Sequence, residues 1–584
     1  MSARLIAPLL VVLIALPAAS GQDTRAWRVP AEPGARDALV SMKATVRHGA
    51  DARGYVAELT DAQADRLRAL GHELLPVRSA PPTTAEAGGW TTYTEMRAGF
   101  QALADAHPGF ARFHVLGQSV QGRDIFALRL TDNPQKEEAE PEILFCGAHH
   151  GDEFASANVP YDYAQRLCAL YDNDPTIAAW IDDNELWIVP LVNPDGYVAG
   201  TRNNANNVDL NRDFGFQWDG WGNSPAPFSQ PEIKAMRELF LANNFSLVST
   251  MHCSGNVFLY TWGNGPWSVP DLAEIQQVGG QYATAAAYTL KNSWADYETH
   301  GETLDFSYGS HGALCFTAEL SNSLAGYTNT YDRNEAGMDL FCGMLSGGIN
   351  GVVTDAATGA PVSAQIWLGG SSVPVYTDPV LGDFHRLTEP GTYDVTVWAN
   401  GYRPVTVPGV VVTGFTPADL QVALQRGGRE HAFMIQAVNQ HDPLNNHANI
   451  TSPSAALGAP DGLACSIGRE GFLVVDLGEG HEAVNGPGDD LLVTEAMLPA
   501  DMTPEGYFVY VGDAYDQDIL LGSSVGTGAF DLGAAGVGTA RYVKIVDRSG
   551  ASASDPLAGV DVDAVTVLNG RRFRSQGVQG KPAP

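Results

Sequence analysis

The sequence predicts an α/β domain, a mixed central sheet flanked by helices, followed by two all-β sandwich domains. Three observations carry this. Between residues 88 and 346, a single-domain length, apolar strand-like runs such as residues 143–146 give way to helix-like segments. After residue 347 helical periodicity vanishes, and short runs separated by turn residues take over. From residue 430 a further set of alternating runs begins.

In chain order, residues 1–20 read as an export signal. One basic residue, Arg4, precedes an apolar run from Leu5 to Leu16, and Pro17-Ala18-Ala19-Ser20 suits cleavage after Ser20. The run is too short to span a bilayer, and no later segment is long and apolar enough. The expectation is a secreted protein, extracellular or periplasmic, with no membrane anchor. Residues 21–87 form a small segment and linker of their own. Residues 40–46 and 55–59 read as strands. A helix capped at Thr60 or Asp61 runs through Leu67 and Leu70 to Gly71, and a Pro/Thr/Gly-rich linker follows from Ser79.

Residues 347–426 read as strands at 349–353, 364–368, 391–397, 405–412 and 420–424. Residues 430–570 add strands at 472–477, 507–511 and 540–547. Asp489, Asp490, Asp547, Asp561 and Asp563 fall at their ends, where carboxylates either bind Ca2+ or cap turns. Residues 571–584 read as a disordered tail. Six cysteines are sparse for a disulfide scaffold. Export permits disulfides, but five in one domain leave at least one thiol free there. With 67 Asp+Glu against 34 Lys+Arg, the net charge of −33 repels nucleic acid and favours solubility.

The chemistry-bearing residues lie in order between 88 and 346. His150-Gly-Asp-Glu153 follows the apolar run 143–146. A His and a Glu three apart, where a strand gives way to a helix, turn an imidazole and a carboxylate toward one point. Zinc takes such ligands, and a catalytic site needs three from the protein. Alone the pair is weak, since most such pairs are solvated helix residues. It is joined by Asn207-Val-Asp-Leu-Asn-Arg-Asp213, by His252 closing an apolar run from Phe245, and by Glu319 within a strand-like run. Singly, His252 reads as a structural histidine and Glu319 as an edge residue. Together they point to a metal site.

This series resembles the zinc metallocarboxypeptidase family, typified by carboxypeptidase A, over roughly residues 88–346. Tyr93-Thr-Glu-Met96, Gly117-Gln-Ser119, Gly122-Arg123 and the loop Asn193-Pro-Asp-Gly-Tyr197 support the match. The resemblance implies a metallocarboxypeptidase-like α/β catalytic domain with His150, Glu153 and His252 on one Zn2+. It makes Asp209 the carboxylate behind the first ligand histidine and Glu319 the general base. Arg202 would hold the oxyanion, and Asn211 and Arg212 the substrate's terminal carboxylate. Tyr297, eight residues before Asp305, would close over the substrate. His149 is then structural, and Cys253, which replaces the usual Ser, points away from the metal.

The implied reaction is removal of C-terminal residues from peptides. Zinc lowers the pKa of bound water to about 7, and Arg212 matches a free carboxylate with two parallel bonds. Leu304 and Gly263, at the family's pocket-floor positions, resemble the type that takes apolar or aromatic ends. The acidic net charge would attract cationic peptides, but it is explained more simply by solubility, so the reading leans toward apolar or aromatic ends. The resemblance also implies a propeptide in residues 21–87, the alternative being a subdomain that stays. It gives residues 347–426 a transthyretin-like sandwich and residues 430–570 a jelly-roll-like module seen on bacterial exported proteins, with cell-surface or glycan contact by analogy. Two rival functions remain: a zinc amidohydrolase acting on peptidoglycan peptides or acyl-amino acids, and a non-catalytic surface-binding protein.

Overall fold

A computed structural model describes residues 24–30, 33–51, 54–76, 88–414, 416–440, 452–496, 504–548 and 559–571. The segment expected as an export signal (1–20), residues 77–87 and the tail from 572 lie outside these. The chain divides into two units, residues 1–79 and 80–584.

In the first unit, β1 (Thr24–Val29), β2 (Thr45–Asp51), β3 (Gly54–Thr60) and β4 (Leu75–Pro76) form a sheet in the order β2-β3-β1-β4. Residues 40–41 belong to a helix, α1 (Ala35–Ser41), and not to the strand expected there. Ala35, Ala38 and Leu39 are buried at helical spacing, so the helical period overrides the β-branched Val40. Helix α2 (Asp61–Ala69) starts in a reciprocal box: Thr60 Oγ1 accepts from Gln63 N, and Gln63 Oε1 accepts from Thr60 N.

The second unit contains the predicted mixed sheet flanked by helices. Its strands are β5 (Ala111–Gln118), β6 (Asp124–Leu130), β7 (Glu142–Gly147), β8 (Glu185–Val189), β9 (Phe245–Cys253), β10 (Val257–Tyr260), β11 (Thr289–Asn292) and β12 (Leu314–Leu320). The order is β11-β10-β12-β9-β7-β8-β6-β5. The block β12-β9-β7-β8 is parallel, and every residue of β7, β8 and β9 is buried. Strands covered on both faces read as continuous apolar runs, which is why these were visible in the sequence. The helices include α3 (Tyr93–Ala106), α4 (Phe154–Leu170), α5 (Pro231–Ala242), α6 (Leu272–Ala285), α7 (Thr303–His311) and α8 (Tyr327–Met344). The stretch from Asn193, expected as a loop, contains a short helix, Pro194–Ala199. Asn193 Oδ1 caps Gly196 N, and proline occupies the first turn, where it has no partner to lose.

Strands β13 (Ile349–Asp355), β14 (Gln365–Leu368), β15 (Val375–Tyr376), β16 (Asp383–Arg386), β17 (Gly391–Trp398), β18 (Val405–Val412) and β19 (Ala418–Leu424) form sheets β16-β13-β19 and β15-β14-β17-β18 around their own apolar core. Two five-stranded sheets follow between Glu430 and Val567.

The aspartates of this last module do not converge on a calcium site among the described residues. Asp490 accepts from Gly486 N and Leu532 N, Asp547 from Glu470 N, Asp561 from Ser466 Oγ, and Asp563 from Asp461 N and Gly462 N. Their oxygens are spent on closing turns and strand ends. All six cysteines are free and buried.

Candidate metal centre

The C-terminal edge of the parallel block gathers the site. β7 ends at Gly147, Ala148 takes φ +50°, and His150 follows before α4 begins at Phe154. Gly151 lies against the Pro194–Ala199 helix, where a Cβ would collide with the Gly196 backbone. Glu153 is the N-cap residue of α4, and its Oε2 accepts from Cys253 N at 3.0 Å. That bond ties the carboxylate to the end of β9, which carries His252.

His150, Glu153 and His252 are all buried, and their ligand atoms lie within 4.8 Å of one another. His150 Nδ1 stands 2.7 Å from Glu153 Oε1 and 3.1 Å from His252 Nδ1, which is itself 3.0 Å from Glu153 Oε2. Two imidazole nitrogens facing each other at that distance cannot both carry protons. Two nitrogen lone pairs beside a carboxylate form the donor set of a catalytic zinc site, so these residues fit the ion.

Asp209 stands behind them. Its Oδ1 is 3.0 Å from His150 Nε2, and its Oδ2 accepts from Arg202 Nε at 3.0 Å and Nη2 at 2.9 Å. Burial alone would raise the Asp209 pKa, but Arg202 and His150 outweigh it and hold the carboxyl well below its usual range. Arg202 Nη1 is also 3.6 Å from Glu153 Oε1. The ionised Asp209 fixes the His150 tautomer that turns Nδ1 toward the other ligands.

Glu319 of β12 is the Cα partner of His252 in the parallel ladder. Its Oε2 is sealed from solvent and has no hydrogen-bond partner. Burial, then the Glu153 and Asp296 charges, push its pKa up to about 8, and a cation held by the three residues beside it would lower it again. At the other side, Arg212 Nη2 donates to Tyr297 Oη at 3.0 Å, and Nη1 donates to Asn211 O at 2.6 Å. Asn211 Nδ2 faces His252 Nε2 at 3.4 Å, while its Oδ1 accepts from Thr303 N and Oγ1. His149 packs its ring on His252 and meets Thr303 Oγ1 at 3.0 Å. Cys253 is buried on the strand beside His252.

Leu304 and Gly263, the positions expected to form a pocket floor, are both enclosed. Leu304 is buried inside α7. Gly263 leaves no empty room, because a Cβ there would collide with Glu302 Oε1 and Thr299 Oγ1. Glu302, a buried acid, escaped the sequence reading: it belongs to no motif, and only its place two residues before Leu304 hinted at it.

Two family models and several curated relatives match this chain. Residues 96–330 match the family model described as Zinc carboxypeptidase, and residues 348–425 match Carboxypeptidase regulatory-like domain. The chain is 27% identical over 341 residues to carboxypeptidase SOL1 of Arabidopsis thaliana, covering 54% of this chain and 69% of that protein. It is 28% identical over 360 residues to carboxypeptidase D of Mus musculus, covering 54% of this chain but only 25% of that longer protein. It is 29% identical over 377 residues to the carboxypeptidase N catalytic chain of Rattus norvegicus, covering 54% and 82%.

Proposed function

The chain belongs to the zinc carboxypeptidase family through residues 96–330, and on that premise we propose that it removes single residues from the C-termini of peptides. His150, Glu153 and His252 would hold the zinc. Bound there, zinc supplies Lewis acidity and makes water a stronger nucleophile near neutral pH. Glu319 takes the water's proton and returns it to the leaving amine, a role its unpartnered Oε2 suits. Arg202 meets the charge that develops on the carbonyl oxygen, held in place by Asp209. Arg212, with Asn211 and Tyr297, receives the free carboxylate. The guanidinium already binds a phenolic oxygen that substrate can displace.

The observation that carries this reading is the convergence of two imidazoles and a carboxylate beside the unpartnered acid of Glu319. Digestion of defined peptides followed by mass spectrometry tests it. Loss of single C-terminal residues is expected, and internal cuts or no cuts would overturn it.

The buried Glu302 carboxylate against Gly263 favours a cationic C-terminal side chain, Lys or Arg, over the apolar residue suggested by Leu304. A low-dielectric pocket that holds an acid gains most from an ammonium or guanidinium. Peptides differing only in their last residue separate the two.

Export and maturation belong to the same reading. Among the described residues no helix is long and apolar enough to cross a membrane. Sequencing the N-terminus of the exported protein distinguishes a propeptide from a retained subdomain. A start near Gly88 supports removal of residues 21–87, and a start near Gly21 counts against it.

A further inference from the structure

The opposite edge of the same sheet holds a second set of carboxylates, at the seam with the β13–β19 sandwich. Glu142 opens β7 and Glu185 opens β8, and they are Cα partners in the parallel ladder. Both are buried, at 3% and 0% exposure. The Glu137 side chain joins them, and the ligand oxygens of all three lie within 4.8 Å of one another. Asp378, from the turn between β15 and β16, and Asp383, which opens β16, are buried and act electrostatically on Glu137. Arg129 offsets part of this charge by pairing with Glu185 and standing 3.5 Å from Glu137.

Four of these carboxylates each keep one oxygen that is sealed from solvent and has no partner: Glu142 Oε2, Glu185 Oε2, Asp378 Oδ2 and Asp383 Oδ1. Their other oxygens are engaged. Glu142 Oε1 accepts from Asn244 N at 3.1 Å, and Glu185 Oε1 accepts from Arg129. Asp378 Oδ1 accepts from Val380 N and Leu381 N, and Asp383 Oδ2 faces His385 Nε2 at 2.9 Å. Buried like charges with idle oxygens are costly unless a cation meets them. We propose that Glu137, Glu142 and Glu185, gathered where β7 and β8 begin, bind a hard divalent cation of the calcium class. Such an ion takes six to eight oxygens in irregular geometry, a demand that paired carboxylate oxygens meet better than magnesium's strict octahedron. In its absence the cluster must keep protons: burial, then Glu185, push Glu137 up to about 8.

The test is a terbium titration of the full chain, stripped of metal and refilled with one zinc. Trp187 on β8, whose ring lies 5.6 Å from the Arg129 guanidinium, serves as the luminescence antenna. One saturable terbium site displaced by calcium is expected, with calcium raising the melting temperature. Glu142→Gln and Glu185→Gln should each weaken binding by about tenfold or more, because affinity follows ligand charge. His252→Ala, which removes a zinc ligand, should leave it intact. No saturable binding at millimolar calcium would overturn the proposal, as would binding that survives both carboxylate variants. A melting temperature that rises on acidification but ignores calcium would also overturn it, since protons alone would then hold the cluster.

Discussion

Asp209 touches His150 through one oxygen and Arg202 through the other, so a single carboxylate orients an imidazole and a guanidinium together. Replacing it with asparagine removes the charge from both contacts. Asp209→Asn should weaken zinc binding by about 10–100-fold, measured by competition with a chromophoric chelator. It should lower kcat/KM further than zinc loss explains, because Arg202 is released as well. Unchanged zinc affinity would remove Asp209 from the support of His150.

Glu319 makes no direct contact with the other two ligands' bonds to Glu153, so its removal should spare the metal. Glu319→Gln is expected to retain stoichiometric zinc while kcat falls by about 10²–10⁴-fold. Near wild-type turnover would exclude it as the base.

Glu302 should set side-chain preference. Glu302→Gln is expected to lower kcat/KM for peptides ending in Lys or Arg by about 10–100-fold, the worth of a hydrogen bond to a charged group. Turnover of Phe- or Leu-ended peptides should hold or improve. A uniform loss across all peptides would make Glu302 structural.

Asp213 offers a pH test away from the metal. Burial, only partly offset by bonds from Ser224, Ser229 and Gln230, raises its pKa from 3.8 to about 6. A folded pKa above the unfolded value favours the native state when the group is protonated. Its contribution is therefore full below 3.8 and is lost as pH rises through 6. The melting temperature of wild type, relative to Asp213→Asn, should fall across that window and level off above it. A flat difference would contradict the shift.

The buried parallel strands were legible in the sequence because covering both faces leaves no polar alternation to confuse. The convergence of His150, Glu153 and His252, with Glu319 beside them, was legible because His150 and Glu153 are close in the chain, and His252 and Glu319 sit at ends of apolar runs. The place of Glu302 was not. Glu302 reaches Gly263 only through the fold, across residues that share no motif. The acidic seam was hidden for the same reason: Glu142 and Glu185 are ordinary first residues of strands until the ladder pairs them. The aspartates of the last module misled in the opposite direction, since turn-closing and cation-binding carboxylates look alike before their hydrogen bonds are seen.

The ladder that sets Glu319 opposite His252 has a further meaning for how this scaffold tolerates change. Loops around the cleft can lengthen or shorten and merely retune what is bound. Between Leu314 and Leu320 a one-residue insertion or deletion would swing the acid to the far side of the sheet. Such a chain could still fold and hold its metal, yet it would be silent, so dead copies of this enzyme should be sought by counting residues in that strand.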